Sequence, residues 1–108
     1  MSNPRGAGID ALMKQAQRVQ KDHHKMMEVL KDRVVEGKAS GGLVAVSMNG
    51  SREVVAVKIQ PDAVDPSDLT LLEDLVAAGI NNALEKVESM IQKERKKVFG
   101  DANPPGLF

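Results

Sequence analysis

The first third of the chain carries apolar residues at the spacing of an amphipathic helix. They recur at alternating intervals of three and four, with a histidine at one position of the series. The series is Ile9, Leu12, Ala16, Val19, His23, Met26 and Leu30. Because neither Gly nor Pro interrupts this heptad pattern, it predicts a helix from Ile9 to about Arg33 with one continuous apolar face.

Three short runs rich in β-branched residues follow this helix. They cover residues 34–39, 43–48 and 53–59, and Asn49-Gly50 lies between the last two. Asn-Gly is a strong hairpin signal because both residues tolerate a positive φ. The pattern therefore predicts a short antiparallel sheet of three strands with one apolar face that needs covering. On the last two strands that face consists of Val44, Val46, Met48, Val55, Val57 and Ile59.

A second long helix is predicted after Pro66. Asp65 and Pro66 have the order of an N-cap and a first helical residue, with Asp68 in the first turn. The apolar periodicity then continues to about Val98 and includes Gly79. Since Gly79 lies in a strongly apolar stretch, we expect a close backbone contact there rather than the end of the helix.

The order of these elements predicts an α+β protein of α-β-β-β-α architecture. We expect one domain, residues 9–100, between a flexible N-terminal tail, residues 1–8, and a C-terminal tail, residues 101–108. A globule of this size is roughly 34 Å across, whereas a first helix of about 25 residues is about 37 Å long. The helix must cross the whole domain or project from it.

A projecting apolar face needs a partner, and the simplest partner is a second copy of the same chain. The sequence alone does not separate the surfaces that form such a dimer from those that form the core of one chain. The predicted interface residues are Leu12, Val19, His23, Met26, Leu30, Val55, Val57 and Leu75.

Composition excludes several classes of function. The chain has no Cys, Trp or Tyr, and its two Phe residues are Phe99 and Phe108. Without Cys there is no disulfide, thiolate zinc site, iron–sulfur cluster or Cys nucleophile. Base stacking on aromatic side chains is equally unexpected. No apolar run approaches the roughly 20 residues that span a bilayer, so we expect a soluble cytoplasmic protein.

Fifteen basic and fifteen acidic residues give a formal charge of zero, but the charge is unevenly distributed. On the first helix, basic residues recur at intervals of four, three and four, nearly opposite the apolar face. They are Lys14, Arg18, Lys21 and Lys25, hereafter the α1 stripe. Such a stripe can follow DNA phosphates. Alternatively, it is a solvated face with local ion pairs to Asp22 and Glu28.

A second basic group lies near the end of the second helix and comprises Lys93, Lys96 and Lys97. These lysines are also candidates for phosphate contacts. Alternatively, basic residues at a helix C-terminus stabilise the helix by interacting with its dipole. His23 and His24 are adjacent and point about 100° apart on a helix, so they cannot chelate one metal from one chain. With no arrangement of nucleophile and base, we expect neither catalysis nor a cofactor or metal.

Four short stretches together span nearly the whole chain. They are residues 13–17, residues 41–46 followed by Asn49-Gly50, residues 72–78 followed by Asn81, and residues 104–106. On these stretches the chain resembles the YbaB/EbfC family of bacterial nucleoid-associated proteins. The resemblance implies the α-β-β-β-α fold and a homodimer whose long helices project like tweezer arms. It also implies binding to double-stranded DNA that helps to organise the bacterial nucleoid.

Two hypotheses of function follow. The first is a non-enzymatic, nucleoid-associated protein of the cytoplasm that binds duplex DNA mainly through phosphates. Its partners would be a second copy of itself and DNA, without a membrane or a small-molecule substrate. The alternative is a dimeric protein–protein adaptor of the recombination or replication machinery. Salt titration of DNA binding separates the two, because phosphate binding depends steeply on salt.

Overall fold

The computed structural model describes residues 4–100, with side chains from residue 8 onward. Its two long helices are α1, Pro4–Leu30, and α2, Leu69–Phe99. Between them lie the strands β1, Val34–Ala39, β2, Val44–Asn49, and β3, Val54–Ile59, with short 3-10 turns at Ser40–Gly42 and Pro61–Ala63. This order confirms the predicted α-β-β-β-α architecture. Residues 4–8 belong to α1, whereas the C-terminal tail, residues 101–108, lies outside the described residues.

The three strands form one antiparallel sheet in the order β1-β2-β3. Helix α2 packs across β1 and β2, and the core lies between them. Val44 and Val46 of β2 are fully buried there, together with Val87 and Ile91 of α2 and Leu30 at the end of α1. The opposite face of the sheet carries Ala45, Ser47 and Asn49 of β2 and, on β1, Glu36, Lys38 and the exposed Val34.

Two glycines let α2 lie close to the sheet. A Cβ atom on Gly79 would be 2.9 Å from Cγ2 of Val46, which confirms the close contact expected at this position. A Cβ atom on Gly37 of β1 would overlap the backbone of Ala83. At these positions even a methyl group would force α2 and the sheet apart, because protein cores are packed to crystal-like density.

The hairpin between β2 and β3 is present, but its turn differs from the one predicted. The positive φ angle, 64°, belongs to Arg52 and not to Asn49 or Gly50. Arg52 N–H donates to the Asn49 carbonyl at 3.0 Å, and Asn49 Oδ1 accepts from the backbone N–H of Ser51 and Glu53. The Asn side chain thus fixes a three-residue loop ending in a left-handed residue, a common alternative to the two-residue turn.

A bulge on β3 corrects the predicted apolar face of that strand. Ser47 pairs with Ala56, but Met48 pairs with Val54, so Val55 is an extra residue without a partner across the ladder. Beyond such a bulge the alternation of side chains shifts by one residue. The face shared with the buried side of β2 therefore carries Val54, Val57 and Ile59, not Val55.

Helix α2 begins three residues later than the predicted first helical residue, Pro66. Its N-cap is Asp68, whose Oδ1 accepts from Thr70 N–H at 3.2 Å. Asp65 does not cap the helix. Its Oδ1 accepts from the backbone N–H of Ser67 at 2.9 Å and from the Ser67 hydroxyl at 2.6 Å, and so closes a local turn. Both aspartates offer the same capping chemistry, and the local turn at Asp65 competes with helix initiation.

Helix α1 projects from the rest of the protein as an arm. Every described side chain from residue 8 to residue 18 is exposed. The principal extents are 81 × 20 × 19 Å and the radius of gyration is 20.9 Å, against about 13 Å for a globular chain of this length. Of the two outcomes that the length of this helix allowed, projection is the one observed.

Candidate nucleic-acid interface

The α1 stripe lies on the projecting arm. All four of its side chains are exposed, and none forms an ion pair with another residue in the described part of the chain. Glu28, a possible partner of Lys25, instead pairs with Lys31 at 2.7 Å. Asp22, a possible partner of Arg18, is half-buried beside the groove between the two helices. The stripe therefore presents four cations to solvent without a local counterion.

The arm's apolar face is covered along only part of its length. Leu30 and Met26 pack into the core, and Val19 is half-buried, whereas Leu12 is 66% exposed and Ile9 is also exposed. The covered part lies against the C-terminal half of α2. A groove of about 300 Å³ separates the helices there, and Met26, Val29 and Val98 contribute its apolar walls. None of the residues that the structure describes covers the outer part of the arm.

A second basic surface surrounds a cavity of about 460 Å³ beside the last turns of α2. Val35 and Met90 contribute its apolar side chains. Around them stand four cations and one carboxylate: Arg33, Lys93, Lys96, Lys97 and Glu94. We call this surface the α2 basic cavity. It unites the predicted lysines with Arg33, which comes from the connection between α1 and β1.

Sequence reasoning missed Arg33 as a member of this surface. Arg33 and Glu94 are 61 positions apart in the chain, yet Arg33 Nη1 lies 2.9 Å from Glu94 Oε1. Only the packing of the α1–β1 connection against α2 brings them together. Periodicity along one helix carries no signal of such a contact, because it reports neighbours three or four residues apart.

Glu94 is the common partner of two of these cations. The oxygen that accepts from Arg33 also lies 3.3 Å from Lys97 Nζ. The hydrogen bond from Arg33 lowers the pKa of the Glu94 carboxyl, and Lys97 lowers it further. The Glu94 side chain is 16% exposed, much less than the side chains of Arg33 and Lys97. The carboxylate thus lies beneath the two cations and remains ionised.

Other polar residues of α2 hold the fold together. Lys86 Nζ donates to the Glu36 carbonyl of β1 at 2.7 Å. Asn82 Oδ1 accepts from the backbone N–H of Lys38 at 3.0 Å. Both contacts tie α2 to the edge strand β1, where a backbone group would otherwise have no partner in the sheet.

The predicted dimer interface divides into two sets, of which the first belongs to the core of one chain. Leu30 is fully buried, and Met26 and Leu75 are nearly so, all within a single chain. Their cover comes from the same chain, and a part for them in an interface stays a prediction. Apolar periodicity shows that a position needs cover, but it does not show whether the cover comes from the same chain or from another.

The remaining interface candidates are exposed or half-buried. Leu12, Val55 and Val57 are exposed, while Val19 and His23 are half-buried. Val57 belongs to an apolar strip along β3 that α2 leaves exposed. Its residues are Val54, Val57 and Ile59, and we call it the β3 strip.

His23 lies on the covered part of α1. Burial lowers its pKa, and the positive charges of Arg95 and His24 lower it further. Within residues 4–100, no group of three or more His, Cys, Asp or Glu side chains is arranged to hold a metal ion. Nor is any helix in this range long and apolar enough to cross a membrane.

Comparison with known proteins gives the family. The model of the YbaB/EbfC DNA-binding family matches residues 5–102. The chain belongs to this family. Membership agrees with the resemblance seen in the four sequence stretches. The family match includes the α1 stripe, the β3 strip and the α2 basic cavity.

Relatives of this YbaB/EbfC-family chain are similar over almost their full length. A nucleoid-associated protein of Thermoanaerobacter pseudethanolicus is 46% identical over 105 residues, covering 97% of this chain and 95% of the relative. A nucleoid-associated protein of Alkaliphilus metalliredigens is 43% identical over 100 residues, covering 93% and 88%. An uncharacterized protein of Helicobacter pylori with a known crystal structure shares the fold at a TM-score of 0.52 and 24% identity. That match covers 79% of this chain and 90% of the other.

Proposed function

We propose that this chain is a non-enzymatic, nucleoid-associated protein that binds double-stranded DNA mainly through its phosphates and helps to organise the bacterial chromosome. The observation that carries the proposal is the α1 stripe, four exposed cations without local counterions on a projecting arm. Membership of a DNA-binding family and the names of the relatives support it. We place the protein in the cytoplasm, at the nucleoid.

The stripe has the geometry of a backbone-tracking surface. From Lys14 to Lys25 it extends about 16 Å along the helix, at about 1.5 Å per residue. Duplex DNA carries one negative charge per roughly 1.7 Å of its axis, so several phosphates lie within reach of one stripe. Lys93, Lys96 and Lys97 are the second set of contacts in this proposal. Phosphate contacts of this kind position a protein on DNA without reading base sequence.

The proposal includes a homodimer formed through the β3 strip. Val57 and Ile59 lie opposite Val46 and Val44 in the ladder, and therefore on the face that α2 covers over β2. Over β3 the helix does not cover these side chains, which are more than 40% exposed. Leu69 and Leu71, at the start of α2, are exposed as well. Exposed apolar side chains on this scale are typical of an interface, and a second copy offers the same self-complementary surface.

The test of DNA binding is a salt titration of the parent protein and of a variant with all four stripe residues replaced by Ala. Each phosphate contact releases about 0.9 counterion, so affinity of the parent should fall by orders of magnitude between low and physiological salt. The variant should remain helical, since Ala is the best helix former. It should bind weakly, with a shallower slope of log affinity against log salt.

A matched control separates the effect of the stripe's position from the effect of the protein's net charge. The double variant Lys14→Ala/Lys21→Ala removes two charges from the arm, and Lys38→Ala/Lys58→Ala removes two from the outer face of the sheet. Only the first pair should change the salt slope. If both double variants lose the same DNA affinity, the arm is not part of the binding site. A folded parent that binds no DNA at low salt would favour the adaptor hypothesis instead.

A further inference from the structure

The α2 basic cavity contains its own anion. Of the five charged residues around it, four are cations, and the fifth, Glu94, holds two of them. Arg33 and Lys97 converge on a single carboxylate oxygen, at 2.9 and 3.3 Å. Lys93 and Lys96, on the same rim, form no ion pair among the described residues. The four cations are therefore of two kinds, two with a counterion and two without.

The arrangement leaves the paired cations open to exchange. The Arg33 side chain is 47% exposed and the Lys97 side chain 73%, whereas Glu94 is 16% exposed beneath them. An incoming anion can reach both cations from solvent without unfolding either helix. Exposed ion pairs contribute little net stability, so exchange of one anion for another does not require breaking a strong structural contact.

Phosphodiester oxygens are chemically suited to this exchange. A guanidinium group binds carboxylate and phosphate with the same planar set of N–H donors, and an ammonium group binds either as a point charge. Glu94 thus occupies donors that a DNA phosphate would otherwise use. Each cation held by Glu94 is one fewer for the phosphates, unless the DNA displaces the carboxylate.

We infer that Glu94 is an internal counterion that competes with DNA phosphates for Arg33 and Lys97 and thereby limits the affinity of the α2 basic cavity for DNA. The inference rests on the proposed function, since it concerns the same ligand. It assigns different roles to the two basic surfaces. The α1 stripe is always available to phosphates, whereas half of the α2 basic cavity becomes available only when Glu94 is displaced.

The decisive variant is Glu94→Gln, which keeps the shape of the side chain and removes its charge. We expect duplex DNA to bind this variant about three- to tenfold more tightly than the parent at low salt, because two cations per chain become free. The slope of log affinity against log salt should steepen by up to about 0.9 for each freed cation that contacts a phosphate. The probe is a short random-sequence duplex at several salt concentrations, with circular dichroism as the test of folding.

The matched control is Glu88→Gln on the same helix. Glu88 also pairs with an arginine, Arg52, through two hydrogen bonds, but it does not line the α2 basic cavity. Both variants raise the net charge by one. If Glu88→Gln tightens DNA binding as much as Glu94→Gln, the gain comes from net charge and the inference is overturned.

A second measurement does not depend on the stability of Glu94→Gln. Lys97 is held by Glu94 and Lys93 is not, so Lys93→Ala should weaken DNA binding more than Lys97→Ala does. The triple variant Glu94→Gln/Arg33→Ala/Lys97→Ala should bind DNA no more tightly than the double variant Arg33→Ala/Lys97→Ala, because the gain from Glu94→Gln needs the two freed cations. A gain that survives there, or equal losses for the two lysines, overturns the inference.

These outcomes distinguish the inference from the proposed function. If the parent binds DNA and Glu94→Gln binds no better, the inference fails while DNA binding stands. If neither protein binds DNA at low salt, both fail. If only Glu94→Gln binds, the α1 stripe is not available to phosphates in the parent, and both the proposed function and the inference as stated are overturned.

Discussion

At the scale of single residues, the environment of each ionisable group decides what its charge does. The three lysines and one arginine of the α1 stripe are of the same residue types as Lys97 and Arg33, yet of these six residues only Lys97 and Arg33 pair with a carboxylate. Glu28 and Glu94 likewise both accept from a lysine three residues away. Only Glu94 also meets an arginine from a distant part of the chain, which makes it part of a surface rather than a local pair.

His23 gives a pH prediction at this scale. Its pKa in the folded protein is lowered, mainly by burial, from an ordinary value of about 6.5. The unfolded chain therefore takes up a proton at a higher pH than the folded one. The contribution of His23 to stability is fully present above pH 6.5 and is lost as the pH falls from there through the lowered pKa.

We expect the free energy of unfolding, measured by urea denaturation, to decrease over this interval in the parent protein. The variant His23→Leu should show a flatter dependence, because its side chain cannot be protonated. If the variant loses stability between pH 7 and pH 5 by the same amount as the parent, another group is responsible for the acid sensitivity.

At the scale of elements, the packing of α2 on the sheet depends on small residues at the points of contact. Gly37 of β1 faces Ala83 of α2, and Gly79 of α2 faces Val46 of β2. The helix and the sheet therefore approach each other closely at two points. The hydrogen bonds that Lys86 donates to β1 and that Asn82 accepts from β1 add to this contact. This contact positions the lysines at the end of α2 relative to Arg33.

Glycine substitution tests this contact. We expect Gly37→Ala to lower the free energy of unfolding by about 2 kcal/mol or more, because the added methyl group would overlap the Ala83 backbone and overpack the core. Gly8→Ala is the control, since nothing lies within 4 Å of a Cβ atom there. In the helix, Gly8→Ala should preserve or raise stability, by up to about 1 kcal/mol. Equal thermal stability of the parent and Gly37→Ala would contradict the packing described.

At the scale of the whole molecule, the protein combines one covered face with two uncovered apolar surfaces. The sheet is covered by α2 over β1 and β2 and is open over β3, and the outer part of the arm is open as well. The fold is elongated, 81 Å along its principal axis, with the core at one part of that length, and its described residues leave these surfaces exposed. The proposed dimer covers the β3 strip and sets two α1 stripes apart on two arms.

Val57→Asp tests the proposed dimer. Val57 is 42% exposed in one chain, so the aspartate can remain solvated in a folded monomer but would lose its hydration without an ion-pair partner in a dimer. At low micromolar concentration, sedimentation of the parent should give about twice 11.6 kDa, and the variant should sediment as the monomer or unfold.

The neighbouring variant Ala56→Asp is the control, because Ala56 pairs with Ser47 on the opposite face of β3. It should sediment like the parent. A parent protein that is monomeric and stably folded at these concentrations would refute the dimer, and a dimeric Val57→Asp would move the interface away from the β3 strip.

The sequence determined the elements and their order. Heptad spacing in α1, β-branched runs in the strands and apolar spacing in α2 are local properties, and they suffice because secondary structure follows side-chain periodicity. The limits of β1, the close contact at Gly79 and the family resemblance were likewise predicted correctly. The N-cap was predicted wrongly, since Asp65 and Asp68 offer the same chemistry and only Asp68 begins the helix.

Tertiary structure decided which apolar surface is covered and which cations are paired. The sequence gives no reason for Leu30 to be buried while Leu12 is exposed, because both lie on the same face of one helix. Leu30 lies at the end of α1 that packs against the sheet and α2, whereas Leu12 lies on the part of α1 that projects beyond them. The extra residue Val55 shifts the apolar face of β3, and Arg33 meets Glu94 across 61 positions. Each depends on the mutual placement of distant segments, and local patterns do not contain that information.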